Sequence, residues 1–402
     1  MRIAMLGARG IPHTYSGYEV FFRELAPRLV ERGHEVLVYC RSSLFPNKPR
    51  YYKGARLIYL PSIETKNLST PTHTAVSMLD VLFRGVDVIF VVNVANAILC
   101  GLPRLMGKTV VLNVDGVEWR RSKWNGLGRR YFHWNARIAG KICPKGIVTD
   151  AVEMQRIYLD EFGTRSVCIA YGDSVEKSTN PDVVRQYGLE PHQYYLILSR
   201  MVPENNADLI VREFEKFRSD RLLAIAGDAN YRSSFVDALK RTRDPRVRFL
   251  GHIGNSEHVK ELHCNCYGYI HGHSVGGTNP SLLKALACGN LIFALDTPFN
   301  REVVEDYGII FEPGQGDLAS KLQIFEDDEK RAEQLRQRAP ERIQERYTWD
   351  RITDQYEDLF GRLAHGESPI RDRELGMYVP INKPAPAGLV SPAFALKNTE
   401  SP

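Results

Sequence analysis

Two successive runs of apolar strands, each strand followed by a loop or a helical stretch, constrain the fold of this chain more than any other feature. The first run contains RIAMLG, EVLVYC, ARLIYL, VDVIFVV, KTVVLNV and GIVTDA, and the second contains YYLILSR, LLAIAG, VRFLG, YGYIHG, LIFAL and GIIF. Alternation of strands with helices is typical of open, mainly parallel α/β sheets. The sequence therefore predicts two parallel α/β domains.

The boundaries follow from breaks in this pattern. The polar segment 173–181 separates the two runs, which predicts a first domain over 1–173 and a second over 174–348. A helical stretch is expected over 349–364, and the Pro-rich, non-periodic residues 365–402 are predicted to be a flexible tail. Because ligands of open α/β sheets bind beyond the carboxyl ends of the strands, we expect a site in the cleft between the domains, built from the loops 7–19, 199–206 and 272–280.

Charge and cysteine content narrow the class of protein. Residues 1–175 carry 24 Lys and Arg against 14 Asp and Glu, a net charge of +10, whereas the remainder has a net charge of −5. A basic first half indicates either an anionic partner, such as a phosphorylated ligand or a membrane surface, or surface arginines without a binding role. The seven cysteines are scattered through apolar runs, which is typical of reduced thiols and predicts a cytoplasmic protein. The longest apolar run, 87–102, is shorter than the roughly 20 residues of a transmembrane helix.

Two features indicate a phosphate site. Gly276 and Gly277 precede Asn279-Pro280, a pair typical of a helix start, and free N–H groups at such a start favour an anion. The alternative is an ordinary strand-to-helix turn. Arg200 follows the strand YYLILSR and is either a bidentate phosphate ligand or a partner in a structural salt bridge. The loop GARGIP lacks the G-x-G-x-x-G spacing, so an NAD site is disfavoured.

Four stretches carry a resemblance to a known family. They are LGARGIPHTYSGYEVFFRELAPRLVERGHEVLVYCR (6–41), NVDGVEWRRSKW (113–124), SRMVPENN (199–206) and HGHSVGGTNPSLLKALACG (271–289). Together they resemble the bacterial family 4 glycosyltransferases, in particular the rhamnosyltransferase-like branch, over about residues 1–364. The resemblance implies a GT-B fold of two facing Rossmann-like domains, with the helix at 349–364 crossing back to the first domain. It also implies retaining sugar transfer from a nucleotide diphosphate sugar, as a co-substrate rather than a cofactor, without a catalytic metal.

The resemblance also assigns roles to residues. Arg200 matches the arginine that contacts the donor diphosphate, and Asp115 lies in a step that faces the donor sugar or the acceptor, so these two are the catalytic candidates. The other predicted donor-binding residues are Gly17, Asn205, His273, Gly276, Gly277, Thr278 and Lys284. Because charge develops on the departing diphosphate, fixed cations and N–H donors stabilise the transition state, and the phosphate itself can accept the acceptor's proton.

Some positions depart from the family pattern. Family members usually carry a Glu-x7-Glu pair, and Gly276 and Lys284 stand at those two positions, while Asn205 replaces a lysine and Ser16 a glycine. Gly276 and Asn205 resemble the rhamnosyltransferase-like branch. Lys284 has two interpretations: it approaches a phosphate or ribose in place of the missing lysine, or the ribose contact is lost and the protein is weakened or silent. An early helical position is mildly unfavourable for a cation.

Two further clusters have competing interpretations. The segment 119–141 interleaves tryptophan with Arg and Lys, which suits membrane-surface contact or the basic face of a partly buried helix, and the predicted acceptor or membrane-side residues are Trp119, Arg120, Arg121 and Trp124. No nucleic-acid motif accompanies it. The histidines and cysteines of 263–273 lack a Cys-x-x-Cys pair and have the alternation of a strand, so a metal is not expected.

The resemblance therefore implies a metal-independent retaining glycosyltransferase that moves a hexose or deoxyhexose to a glycan or lipid-linked acceptor in cell-surface polysaccharide synthesis. It is expected in the cytoplasm, with a peripheral position on the inner face of the membrane as a further expectation. The competing hypothesis is a glycosyltransferase-like binding or scaffold subunit that is silent because neither residue of the acidic pair is present.

Overall fold

The computed structural model of the chain describes residues 1–12, 17–65, 68–114, 116–121, 124–228, 234–314, 316–370 and 375–378. These residues form two α/β units, and each unit is built on one sheet. The two-domain parallel α/β fold that the alternation predicts is therefore confirmed, whereas the division at 173/174 and 348/349 stays a prediction.

The first sheet has eight strands in the order β3-β4-β2-β1-β5-β6-β7-β8. Their bounds are β1 Arg2–Leu6, β2 Glu35–Arg41, β3 Tyr51–Tyr52, β4 Ala55–Leu60, β5 Val88–Val92, β6 Thr109–Asn113, β7 Ile147–Thr149 and β8 Val167–Cys168. Every described pairing is parallel except that of β3 with β4. The strand order reverses beside β1, which is the kind of position where open α/β sheets bind ligands.

The second sheet has six parallel strands in the order β11-β10-β9-β12-β13-β14. Their bounds are β9 Tyr194–Leu198, β10 Leu222–Ala226, β11 Val247–Gly251, β12 Gly268–His271, β13 Leu291–Leu295 and β14 Ile309–Phe311. Helices cover both faces, so the central strands are apolar on both sides and β13 is buried throughout. The order reverses between β9 and β12, and both Arg200 and the glycine loop follow these two strands.

The helices of the first unit are α1 Gly17–Glu31, α2 Ser69–Val81, α3 Gly101–Leu105, α4 Gly126–Ile142 and α5 Val152–Phe162. Those that follow are α6 Ala207–Phe214, α7 Ser234–Leu239, α8 Ser256–Cys264, α9 Pro280–Ala287, α10 Pro298–Val304, α11 Asp317–Asp327, α12 Glu329–Arg342 and α13 Trp349–Ala364. On the first sheet, α1 packs into the core of one face, while α2, the 3₁₀ segment Val94–Cys100, α4 and α5 pack into the core of the other. No described helix is long and apolar enough to cross a membrane.

Helix α13 lies against the first unit, although it follows the second in sequence. Tyr356 packs against Phe21 of α1 with ring centroids 5.4 Å apart, and the Arg32 guanidinium lies 2.7 Å from carboxylate oxygens of both Asp354 and Glu357. A π-helical turn, Ile343–Tyr347, connects α12 to α13. The final helix therefore fastens the end of the second unit to the first through both an aromatic core and ion pairs.

The structure corrects one local expectation. Cys264 ends α8 instead of lying in a strand with Cys266, because β12 begins only at Gly268. The predicted flexible tail is described in part: residues 365–368 are exposed, whereas Tyr378 is buried and its backbone N–H donates to the Cys168 carbonyl at 2.8 Å, and the flexibility of the tail stays a prediction. The rest of that predicted tail, 371–374 and 379–402, lies outside the described residues.

Candidate active site

The two units meet along a cleft at the carboxyl ends of their strands. The Thr278 hydroxyl, beyond β12, donates to the carbonyl of Asp150, which follows β7. Nearby, the Glu302 carboxylate of α10 accepts from the backbone N–H of Val152, the first residue of α5, at 2.9 Å. These contacts hold the glycine loop of the second unit against the end of the first sheet. The three loops expected to form a site therefore border one cleft.

The amino-terminal ends of two helices face each other in this cleft. Gly17 is the first residue of α1, and a Cβ at this position would lie 3.6 Å from Cγ of Pro280, the first residue of α9. The side chain of Asn279 accepts from the N–H of Ser281 and caps α9. Helix starts carry free N–H groups and a partial positive charge, so two of them at close approach favour an anion. The arrangement suits a ligand with more than one negative charge.

The two glycines before α9 are constrained in different ways, Gly276 by its backbone conformation and Gly277 by lack of space. Gly276 has φ +150°, a conformation that other residues rarely adopt. A Cβ on Gly277 would lie 1.9 Å from Oδ1 of Asp150, a buried carboxylate of the other unit. Thr278 is buried with its hydroxyl bonded across the cleft. The loop thus presents backbone to the cleft, and its shape depends on the absence of side chains at both glycines.

Arg200 lies on the exposed edge of the same cleft, two residues beyond β9. The side-chain amide of Asn205, which is buried, donates to the Arg200 carbonyl at 2.8 Å, and the N–H of Ser274 donates to the Glu204 carbonyl at 2.9 Å. Asn205 therefore fixes the backbone of the Arg200 loop, which is in turn bonded to the chain leading into the glycine loop. A direct contact of Asn205 with the donor stays a prediction.

His273 lies beneath the glycine loop in a positively charged setting. Its ring stacks on His271 with centroids 4.2 Å apart and an interplanar angle of 12°. Burial holds the pKa of His273 well below its usual range, and the neighbouring His271, Arg200 and Arg121 lower it further. His273 is therefore neutral at physiological pH. Guanidinium groups from both units, Arg200 and Arg121, therefore act on this one ring.

The described residues of the stretch 119–124 lie beside the cleft and partly in the core, and their predicted contact with an acceptor or a membrane stays a prediction. Trp119 is 8% exposed and packs edge-on against Tyr158. Arg120 pairs with Glu161. Arg121 Nε lies 2.8 Å from Glu118, and its Nη2 would lie 3.9 Å from a Cβ on Gly276.

Trp124 ends this stretch, and its indole N–H donates to Glu118 at 2.8 Å. The two tryptophans are therefore held by packing and by a hydrogen bond, and Arg121 reaches toward the glycine loop. That this stretch faces the acceptor stays a prediction, and contact of Arg121 with the membrane has no support in its position.

Lys284 forms a double ion pair with the segment between the two units. Its Nζ lies 2.8 Å from Oδ1 of Asp173 and 2.8 Å from Oε1 of Glu176. Burial alone would lower the pKa of Lys284, but the two carboxylates raise it, while burial raises the pKa of Asp173 against the opposing effect of the lysine. Position 284 is in the last turn of α9, where the helix dipole favours a cation, so the expected penalty does not apply. Contact with a phosphate or ribose stays a prediction, because the described partners are carboxylates.

One catalytic candidate, Asp115, lies outside the described residues, as does Ser16. Among the residues that are described, no three His, Cys, Asp or Glu side chains form a metal-binding group, and this holds for the segment 263–273 as well. The prediction that catalysis needs no metal is left untested by this geometry.

Two residues of the site were missed by the reasoning from sequence. Asp150 lies in the segment GIVTDA directly after β7, and the rule that ligands lie at the carboxyl ends of strands could have singled it out. Glu302 accepts a hydrogen bond from the N–H of Val152, which lies 150 residues earlier in the chain. No local sequence pattern indicates that pairing. Burial raises the pKa of Glu302, and the two backbone N–H donors at the start of α5 offset part of that effect.

Comparisons with protein families agree with this architecture. A family described as glycosyl transferases group 1 matches residues 182–342, and glycosyltransferase family 4 matches residues 15–169. Each match falls in one of the two units, and together they cover more than three quarters of the chain. No curated protein matches the chain in sequence.

Solved structures with the same fold are found at low sequence identity. Sucrose-phosphate synthase from Thermosynechococcus elongatus is 15% identical with a TM-score of 0.74, over 91% of this chain and 100% of that one. Alr3699/HepE from Anabaena, in complex with UDP and glucose, is 16% identical with a TM-score of 0.72, over 90% of this chain and 99% of that one. At such identities the likeness shows the fold, and the predicted GT-B class is confirmed.

Proposed function

Because this chain belongs to the family 4 glycosyltransferases of GT-B fold, we propose that it transfers a hexose or deoxyhexose from a nucleotide diphosphate sugar with retention of configuration. One observation carries the proposal: the amino-terminal ends of α1 and α9 come from opposite units and meet across the cleft at Gly17 and Pro280. A diphosphate has the charge and size to occupy such a junction. Rhamnose is one candidate among the deoxyhexoses, on the resemblance of the glycine loop alone.

The residues around this junction suit a departing diphosphate. When the bond between the anomeric carbon and the phosphate oxygen breaks, the electron pair goes to that oxygen, and Arg200 and the N–H groups of α9 would stabilise the charge. The acceptor hydroxyl forms the new bond to the anomeric carbon, and its proton passes to the leaving phosphate. His273 is held neutral and stacked, so it supplies shape to the cleft and no positive charge. On this scheme neither a protein base nor a metal ion is required.

The acceptor belongs to the first unit in this proposal. We assign to it Asp115, on the resemblance alone, and the described residues of the stretch Trp119–Trp124, which follow β6. We take the acceptor to be a glycan or lipid-linked glycan of cell-surface polysaccharide synthesis, since this is what resemblance to the rhamnosyltransferase-like branch implies. The protein would then work in the cytoplasm, at the inner face of the membrane, without a nucleic-acid partner.

A silent binding subunit is the second candidate, and one observation favours it. Both positions of the acidic pair lack a carboxylate, and Lys284 is engaged by Asp173 and Glu176 rather than held open to a ribose. A silent subunit would keep the anion site at the helix starts but not the turnover.

Turnover separates the two candidates. The purified chain is incubated with UDP-, dTDP- and GDP-sugars, with and without a chelator, and release of the nucleoside diphosphate is followed together with the anomeric configuration of the released or transferred sugar. The proposal expects release from one nucleotide class, unchanged by the chelator, with retained configuration. Inversion would overturn the retaining mechanism, and binding of a nucleotide without any release would favour the silent subunit.

A further inference from the structure

Three helical segments form one layer on the outer side of the first sheet. Helix α2, residues 94–106 and α4 all bury side chains in the same core, including Met78, Cys100 and Ala136. Hydrogen bonds join α4 to residues 94–106: the Tyr131 hydroxyl donates to the Ala95 carbonyl at 2.7 Å, and the Ile98 N–H donates to Asn135 at 3.2 Å. Their outer sides therefore point away from the sheet together and form one continuous surface.

This surface is unusually apolar. Its exposed large apolar side chains are Val76 and Leu79 on α2, Phe83 in the turn that follows α2, Ile98, Leu102, Leu105 and Met106 in residues 94–106, and Leu127, Tyr131 and Trp134 on α4. Three of them are almost fully exposed to solvent: Phe83 is 88% exposed, Leu105 is 89% exposed and Leu127 is 74% exposed. Among the described residues after position 180, only Ile324 and Leu375 belong to the same class. An apolar surface of this extent marks an interaction site rather than ordinary solvent-facing structure.

The same surface is basic and has no acidic residue on two of its three segments. Residues 94–108 and 124–145 contain seven Lys and Arg and no Asp or Glu. On α4 the exposed cations Arg130, Arg137 and Lys141 recur at helical spacing beside Tyr131 and Trp134, while Phe132 and Ala136 face the core. Those three cations have no ion pair among the described residues. An amphipathic helix with aromatic and basic side chains on its outer side is typical of a membrane interface.

We propose that this surface, named here the α2–α4 face and defined by the ten apolar residues above, docks on the anionic surface of a lipid bilayer. Projecting apolar side chains would enter the headgroup region, while the surrounding cations meet lipid phosphates. A second copy of the chain fits less well, because a two-fold interface would place the same basic surfaces against each other. A nucleic acid would meet the cations but leave the projecting leucines and Phe83 without an apolar partner.

The α2–α4 face overlaps the segment 119–141 that the sequence singled out, since most of α4 lies within it, but the face excludes the residues Trp119–Trp124 at the start of that segment. Trp119 is buried in the core, whereas Trp134 of α4 is 46% exposed. Docking through this face requires neither nucleotide binding nor turnover, so the proposal stands or falls separately from the transferase function.

Vesicle sedimentation tests the proposal with the full chain. Vesicles of phosphatidylcholine alone are compared with vesicles that also contain phosphatidylglycerol. The apolar variant combines Leu105→Asp and Leu127→Asp, with Ile324→Asp as its matched control on the second unit. The charge variant combines Arg130→Gln, Arg137→Gln and Lys141→Gln, with Arg218→Gln, Lys240→Gln and Arg243→Gln as the control, since these three side chains are also exposed. Circular dichroism checks that every variant is folded.

We expect the protein to bind the anionic vesicles and to bind less as salt increases. Each removed cation should weaken binding about fivefold, so the charge variant should lose about two orders of magnitude, and the apolar variant should lose at least about tenfold. Both controls should bind like the unmodified chain. The proposal is overturned if the anionic vesicles do not bind, or if controls and variants weaken alike. Two further results would overturn it if they occur without vesicle binding. One is a dimer in sedimentation velocity that Leu105→Asp disrupts, and the other is binding of single-stranded DNA.

Discussion

The two ends of helix α9 differ in what they contact. The first end, Gly276–Pro280, borders the cleft with bare backbone, and its Thr278 bonds to Asp150 of the other unit. The last turn points the other way, and its Lys284 is bound to Asp173 and Glu176 in the segment between the units. One short helix thus borders the cleft at its start and is fixed to the connecting chain at its end.

This difference bears on the replaced acidic pair. If Lys284 has a structural role, its presence at a position that usually holds a glutamate does not by itself indicate a silent protein. The ligand site would then rest on the start of α9, on the start of α1 and on Arg200. Substitutions at the two ends should therefore separate ligand binding from stability.

The largest effect is expected at the first end, from Gly277→Ala. The added Cβ would lie 1.9 Å from Asp150 Oδ1, so either the loop or the buried carboxylate must move. Overpacking of this kind costs about 3 kcal/mol, which corresponds to about a 100-fold loss of nucleotide affinity if the loop is displaced. Isothermal calorimetry measures the affinity, and Gly314→Ala, at an open surface position, should leave it unchanged. Unchanged binding by Gly277→Ala would mean that the loop does not shape the site.

The next largest effect is expected at the other end, from Lys284→Met. Removing the ammonium leaves Asp173, which is 8% exposed, without its charge partner, and the free energy of unfolding should fall by about 2 kcal/mol. Urea unfolding measures it, and a cycle with Asp173→Asn should show strong coupling. The pKa of Lys284 is raised, so its contribution is present below pH about 10.5 and is lost as pH rises through the folded-state pKa. If Lys284→Met instead lost much of its nucleotide affinity without losing stability, Lys284 would be a ligand of the nucleotide, and the two ends of α9 would not differ in role.

A smaller effect is expected from Glu302→Gln, which probes the contact that holds the first end against α5. The glutamine side-chain oxygen can still accept from the Val152 N–H, but the substitution removes the negative charge at the start of α5. The interaction of that charge with the helix dipole is worth about 1 kcal/mol. Burial raises the folded-state pKa of Glu302, so the protonated carboxyl favours the fold; this contribution is fully present below the unfolded pKa of about 4.3 and is lost as pH rises through the folded pKa. The difference in unfolding free energy between the two proteins should change over this range, and a pH-independent difference would argue against the raised pKa.

The smallest effect is expected from Asn205→Ala. Its side chain supports the Arg200 carbonyl from within the loop, and one neutral hydrogen bond is worth about 1 kcal/mol. Nucleotide affinity should fall about fivefold, with little change in the melting temperature. A loss as large as that of Arg200→Ala would indicate that Asn205 contacts the ligand itself.

Much of the fold could be predicted from the sequence, because strands such as Leu291–Leu295 are continuous apolar runs whose period needs no tertiary information. The strands β3 and β8 were missed, since two residues carry no period. The loops of the cleft followed from the carboxyl-end rule. The partners of Lys284 could not be predicted in this way, because they lie 111 and 108 residues away and a local sequence pattern does not indicate such distant pairing.

The tryptophan-rich stretch shows a different difficulty. Interleaved tryptophan and arginine are compatible with a membrane interface and with a core that has a charged rim. Burial decides between them, and in the structure Trp119 faces the core while Trp134 faces outward. A sequence pattern without a helical register could not assign the two residues to opposite environments.

The central claim is that the start of α9, the start of α1 and Arg200 hold a nucleoside diphosphate. The most direct test is the thermal shift of the native chain with UDP, dTDP, GDP, ADP and CDP, repeated with Arg200→Ala and with Arg218→Ala, an exposed arginine remote from the cleft. The account predicts stabilisation by one nucleotide that Arg200→Ala abolishes and Arg218→Ala preserves, because only binding to the folded state raises stability. Stabilisation by none of the five, or stabilisation that survives Arg200→Ala unchanged, would contradict it.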